Sequence, residues 1–227
     1  MTTPEATSSS ASFAALVDHT LLKPTATRGD VIKLAHQGID LGVASVCINP
    51  IWVAVVAQEL RGSPVKTCCV AGFPLGSSYA DITAREARAA IDSGAAEIDM
   101  VAPLGWVKSG MWDEVETYVR AVRQATSGAV LKVIVETAAL TDAEVVRTAT
   151  ISANEGADFV KTSTGFHPEG GATTHAVELL RSTVPDDVGV KASGGIRSLD
   201  QAQAMLEAGA TRLGLSSTAA IIREIPA

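Results

Sequence analysis

Four stretches of this chain share one pattern: a glycine, a small residue, then a short strand. They are Gly42-Val-Ala-Ser-Val-Cys-Ile-Asn49, Gly94-Ala-Ala-Glu-Ile-Asp-Met-Val101, Gly156-Ala-Asp-Phe-Val-Lys-Thr-Ser163 and Gly209-Ala-Thr-Arg-Leu-Gly-Leu-Ser216. Aligned on the glycine, the sixth positions are Cys47, Asp99, Lys161 and Gly214. Side chains alternate across a strand. One face therefore carries Ser45/Cys47/Asn49, Glu97/Asp99/Val101, Phe159/Lys161/Ser163 and Arg212/Gly214/Ser216. The opposite face carries Val46/Ile48, Ile98/Met100, Val160/Thr162 and Leu213/Leu215, almost wholly apolar. A deep strand gathers charge on one face only where that face lines a site.

Between the repeats lie further strands. The spacing predicts strands near 17–21, 45–49, 66–71, 97–101, 130–136, 159–163, 189–193 and 212–216. Helical periodicity fills 28–41, 51–61, 79–93, 111–126, 142–155, 172–183, 198–208 and a short stretch from 217. The repeat glycines then cap the C-termini of the preceding helices. Each interval between repeats holds two βα units, and no linker interrupts them. Eight such units in 227 residues predict a single-domain (β/α)8 TIM barrel over 13–227. An open doubly wound sheet is the alternative, and even spacing favours closure. Residues 1–12 are rich in Ser, Thr and Ala and read as a flexible tail.

A barrel draws each interior layer from alternate strands, so Cys47, Asp99, Lys161 and Gly214 should share one layer. The glycine at the strand-8 position should leave room beside Asp99 and Lys161. The catalytic end of such barrels is the C-terminal end of the strands.

Bulk properties remove several function classes. A net charge of −7 without a basic run argues against nucleic acid and against an anionic membrane surface. No apolar run is long enough to cross a bilayer, and the start of the chain lacks a secretory pattern. Cys47, Cys68 and Cys69 have neither metal nor disulfide spacing, which reads as buried thiols in a reducing cytoplasm. No two histidines have metal-ligand spacing, and no dinucleotide glycine fingerprint is present, so neither metal nor nucleotide cofactor is expected.

Lys161 is the main chemical candidate. A lysine inside a barrel is costly unless it is paired or neutral. Either it forms a structural ion pair with Asp99, or it is an amine nucleophile toward a carbonyl. Lys191, in Val190-Lys-Ala-Ser-Gly-Gly-Ile-Arg197, lies on the neighbouring strand. Two lysines facing one pocket repel, so one gives up its proton more readily, and Asp99 supplies an acid or base. Lys66 and Lys132 take the default role, solvated or ion-paired. His19 lines the pocket or holds a loop, and Glu136 is a candidate partner behind the site. Small-residue turns at Ser163-Thr-Gly165, Ser193-Gly-Gly195 with Arg197, and Gly214-Leu-Ser-Ser217 suit an anion at adjacent strand ends.

These stretches resemble the deoxyribose-phosphate aldolases, a class I aldolase family. The likeness is carried by Asp18-His-Thr-Leu-Leu22, Ser45-Val-Cys-Ile-Asn-Pro50, Ala71-Gly-Phe-Pro-Leu-Gly76, Glu97-Ile-Asp-Met-Val101, Leu131-Lys-Val-Ile-Val-Glu-Thr137, Asp158-Phe-Val-Lys-Thr-Ser-Thr-Gly-Phe166, Gly170-Gly-Ala-Thr173, Val190 to Arg197 and Leu215-Ser-Ser217. The resemblance implies reversible, metal-free cleavage of 2-deoxy-D-ribose 5-phosphate to D-glyceraldehyde 3-phosphate and acetaldehyde. It implies a Schiff base on Lys161, proton shuttling by Asp99 through water, and Lys191 lowering the pKa of the amine. Gly165, Gly194, Gly195, Arg197 and Ser216 would hold the phosphate, and Thr20 and Cys47 would line the acetaldehyde end. A cytoplasmic homodimer is the implied assembly.

Two departures stand out. The family commonly has an Asn after the strand-4 Asp-Met-Val, where this chain reads Ala102-Pro-Leu-Gly105. Some members end in a mobile tail with a terminal Tyr, whereas Tyr79 and Tyr118 are the only tyrosines here, and a slower enzyme is expected. The competing readings are a Schiff-base aldolase of ketose phosphates and a non-catalytic sugar-phosphate binding barrel.

Overall fold

The computed structural model describes residues 9–226. Its strands are β1 Val17–Leu21, β2 Ser45–Ile48, β3 Lys66–Ala71, β4 Glu97–Val101, β5 Val130–Ile134, β6 Phe159–Lys161, β7 Gly189–Ser193 and β8 Arg212–Leu215. All pair in parallel in chain order, and β1 pairs with β8, so the sheet closes into a barrel. The helices are α1 Ser10–Ala14, α2 Arg28–Leu41, α3 Val53–Glu59, α4 Ala80–Asp92, α5 Leu104–Lys108, α6 Trp112–Ala125, α7 Asp142–Asn154, α8 Thr174–Thr183, α9 Leu199–Glu207 and α10 Thr218–Arg223. The expected tail falls mainly outside the described residues. Its last three positions, Ser10 to Ser12, belong to α1, which Ser9 caps and Phe13 anchors in the core.

The recurring glycine is one device used four times. Gly42, Gly94, Gly156 and Gly209 all have positive φ, between 69° and 110°. Each donates its N–H to a carbonyl three residues back, and the next residue donates to one five back. This is the Schellman stop, whose left-handed position favours glycine. The small residue that follows, Val43, Ala95, Ala157 or Ala210, is buried in the core. A helix thus ends and turns inward to a strand within two residues.

The apolar strand face packs outward against the helices. Val46, Ile48, Ile98, Met100, Val160, Leu213 and Leu215 are all fully buried in one core cluster. Burying each such side chain stabilises the fold by about 1.5–3 kcal/mol.

Four strands are shorter than expected, β2 and β8 by one residue and β5 and β6 by two. β5 stops at Ile134, and two residues later Glu136 turns the backbone with φ 60° and ψ 58°. β6 stops at Lys161. The periodicity also missed α5, a single short turn entered from Pro103, which carries too few residues to show a face. The helix expected over 51–61 opens as a 3-10 turn at Pro50–Trp52 before α3.

Candidate active site

The other strand face fills the barrel with charge. Odd strands contribute Asp18, Cys68, Lys132 and Lys191, and even strands contribute Cys47, Asp99, Lys161 and Gly214. Below them come Glu97 and Arg212, whose guanidinium lies 5.3 Å over the Phe159 ring. Lys132 Nζ sits among three carboxylates: Glu97 at 2.6 Å, Asp99 at 2.8 Å and Asp18 at 3.2 Å. Arg212 reaches Asp18 at 2.7 Å and Glu97 at 3.5 Å. Lys191 bonds both Asp18 and Asp99, the latter at 2.7 Å. Lys161 has one carboxylate partner, Asp99, at 2.8 Å.

Asp99 is the hub. Its Oδ1 accepts from Lys132 and from the Cys68 thiol, and its Oδ2 accepts from Lys161 and Lys191. Burial pushes its carboxyl up, but the three lysines outweigh burial and hold it well below the usual carboxylate range. Burial likewise pushes Lys191 and Lys132 down, yet the facing carboxylates win and hold both above the ordinary lysine value. The facing carboxylates thus favour the charged form of Lys191. The cluster sets four cationic side chains against three carboxylates. One unprotonated amine brings it to neutrality, and unbalanced buried charge is expensive.

Cys47, Cys68 and Asp99 place ligand atoms within 4.8 Å of one another, as do Asp18, Cys68 and Glu97. Neither set suits a metal ion. Both Asp99 oxygens are taken by ammonium groups, and the second set encloses Lys132 Nζ, which lies 3.3 Å from the Cys68 sulfur. The protein supplies its own cation there.

Above this layer the barrel opens into a cavity of about 260 Å³. Lys161 lines it together with Thr20, Gly165, Gly194, Gly195, Arg197 and Ser216. The structure thus gathers seven of the expected residues at one mouth. Gly194 holds φ 90° and lies against Gly165 and Gly171, where a Cβ would come within 3.3 Å of both backbones. The loops after β6 and β7 therefore pack backbone to backbone, tied by Ala172 N–H to Gly194 O at 3.0 Å. Arg197 leads into α9, whose N-cap is Ser198.

Asp99 and Lys191 do not line the cavity; they are sealed beneath Lys161. Cys47 is also fully buried; it faces the barrel interior beside Cys68 and Asp99, beneath the cavity, and is not among the residues that line it. Gly214 lines the same cavity as Lys161. A Cβ there would come 2.8 Å from Ser193 Cβ and 3.2 Å from Lys191 Cε, so the glycine also makes way for Lys191. His19 points out of the barrel, where its Nδ1 lies 2.8 Å from Thr218 Oγ1, so it ties β1 to α10. Lys66 is exposed, while Lys132 takes the ion-paired default in its most extreme form. Tyr118 is buried against Thr83, and Tyr79 is exposed away from the cavity.

Sequence reasoning gave no role to Asp18, Glu97, Cys68 or Arg212, and none specific to Lys132. The signal was present: each lies two residues from a named position, or on the same inward face. Lys23, which also lines the cavity, had no such signal because it follows β1 in a loop.

Comparisons with known proteins place the chain in a family. The family model for the DeoC/LacD family aldolases matches residues 12–223. A deoxyribose-phosphate aldolase of Streptococcus gordonii is 51% identical over 91% of this chain and 94% of its own length. That of Mycobacterium ulcerans is 52% identical, covering 92% of this chain and 93% of its own. The tetrameric deoxyribose phosphate aldolase of Aeropyrum pernix superposes with a TM-score of 0.88 at 36% identity, over 95% of this chain and 92% of that one. The chain belongs to the DeoC/LacD family of aldolases.

Proposed function

We propose that this aldolase reversibly cleaves 2-deoxy-D-ribose 5-phosphate to D-glyceraldehyde 3-phosphate and acetaldehyde through an imine on Lys161, without a cofactor. One observation carries the reading. Among the buried amines of the charge cluster, Lys161 alone opens onto the cavity, and glycine turns with Arg197 stand opposite it. The names of the relatives supply the sugar.

In this scheme Lys161 is the nucleophilic amine. It has the fewest carboxylate partners of the three buried lysines and an open side toward the cavity. Nζ adds to C1 of the open-chain sugar, and loss of water gives the imine. The C3 hydroxyl then loses its proton, the C2–C3 bond breaks, and its electron pair passes into the enamine. Glyceraldehyde 3-phosphate leaves. Protonation at C2 and hydrolysis of the imine, which takes up the water lost earlier, release acetaldehyde and regenerate the Lys161 amine. Asp99, held ionised, acts as base and relay through a water and does not store an acidic proton. The glycine turns and Arg197 take the phosphate, and Thr20 borders the donor end.

The physiological reading is breakdown of deoxyribose phosphate in the cytoplasm by a homodimer, and light scattering of the purified protein checks the dimer. No helix among the described residues is long and apolar enough to cross a membrane. The chemistry is tested by incubating the protein with acetaldehyde and borohydride, then mapping the modified peptide. A reduced two-carbon adduct on Lys161 is expected. An adduct on Lys191 would reverse the roles, and none at all in folded protein would favour a binding barrel.

A further inference from the structure

Glu136 is unlike the other buried acids. Asp18, Glu97 and Asp99 each face two or more cationic side chains. Glu136 is 1% exposed, and no cation pairs with it among the described residues. It is also the one non-glycine residue with positive φ among them. A left-handed conformation is costly for a residue with a Cβ. Asn or Gly would make the same turn more cheaply, so the turn alone does not account for a glutamate.

Its carboxylate serves one neighbour. Thr164 donates its backbone N–H at 3.2 Å to Oε1 and 3.3 Å to Oε2, and its hydroxyl donates to Oε2. Thr164 Oγ1 in turn accepts from Phe166 N–H at 3.1 Å. Thr164, Gly165 and Phe166 all line the cavity, three to five residues beyond Lys161. A strained residue after β5 therefore fixes the loop after β6.

We propose that Glu136 is a positioning residue for the anion end of the cavity: it locks the Thr164–Phe166 turn so that the turn meets the phosphate of the substrate. From this left-handed position the carboxylate reaches both donors of Thr164. The inference rests on the reading that the substrate is a sugar phosphate.

The experiment compares 2-deoxyribose 5-phosphate with phosphate-free 2-deoxyribose in wild type and in Glu136→Gln, Glu136→Ala and Glu136→Gly. Loss of hydrogen bonds to a charged group should raise KM for the phosphorylated sugar by roughly tenfold or more in the Ala and Gly variants. Their kcat should stay within about threefold, because uniform binding is what is lost. The phosphate-free sugar should change by less than about threefold in kcat/KM on the same ground. The Gln variant keeps an acceptor oxygen and should retain most of the preference. The Gly variant should be more stable than the Ala variant, since it relieves the backbone, yet share its KM defect. Equal losses on both sugars, or a KM restored by glycine, would reduce Glu136 to a structural role and overturn the proposal. If wild type itself shows no preference for the phosphorylated sugar, the functional reading fails instead.

Discussion

The barrel interior below Asp99 and the cavity above it are built from the same residue types and do different work. Below, Lys132 is matched to three carboxylates, Arg212 to two, and no side chain reaches solvent freely. Above, Lys161 has one partner and an open side. Lys161 and Lys191 are register partners on adjacent strands and bond the same Asp99 oxygen, yet they fall on opposite sides of this division. Depth and the number of facing carboxylates, not residue type, separate the lysine that opens on the cavity from the one sealed beneath it.

The sharpest break of the comparison is at the mouth. Lys161→Arg keeps a cation beside Asp99 but cannot form the imine, so turnover should fall by roughly 10⁴-fold or more while the fold survives. Steady-state kinetics and circular dichroism check both halves, and near-normal turnover would exclude imine chemistry. At the sealed end the expectation inverts. Lys132→Met leaves Asp18, Glu97 and Asp99 short of a cation, and should destabilise the protein by about 3–5 kcal/mol in urea unfolding. A Lys132→Met protein as stable as wild type would mean that the lower cluster is not a stabilising ion core.

Outside the barrel, changes should touch stability alone. Gly42→Ala meets nothing within 4 Å and should cost only the backbone term, about 1 kcal/mol. Gly94→Ala places a Cβ 2.7 Å from Ala57 Cβ, and should cost roughly 2–3 kcal/mol, leaving kcat/KM unchanged. Equal destabilisation of the two would show that the close contact relaxes freely.

The smallest effect belongs to His19, whose neighbour Asp18 faces inward while it faces out. Burial holds its imidazole below the ordinary value of 6.5. A lowered folded value means that the unfolded chain binds the proton first. Its contribution to stability is therefore full above pH 6.5 and is lost as pH falls through the folded value. The slope is at most about 1.4 kcal/mol per pH unit. The stability gap between wild type and His19→Gln should narrow between neutral pH and pH 5.5 or so, and a constant gap would show that His19 does not titrate with unfolding.

Much of this molecule is legible in its letters. The Gly-small-strand recurrence marks four Schellman stops, alternation separates an apolar from a polar strand face, and eight such units leave few architectures. Asp99 and Lys161 were found because both rules place them inward at one level. Depth was harder to read. Cys47 was judged by its position along a strand, but whether it reaches the cavity depends on the side chains of other strands. The strained turn at Glu136 left no mark in the letters, because a glutamate rarely adopts it.

Local pattern decided the units, their order and the inward faces, since helix stops and strand alternation act within a few residues. Closure decided the rest. Asp18 meets Arg212 and Lys191 only because β1 pairs with β8 and completes the ring. That contact joins residues 194 positions apart, and no local rule reaches so far. It is this pairing that supplies Lys191 with its second carboxylate, leaving Lys161 as the lysine with one partner and an open side.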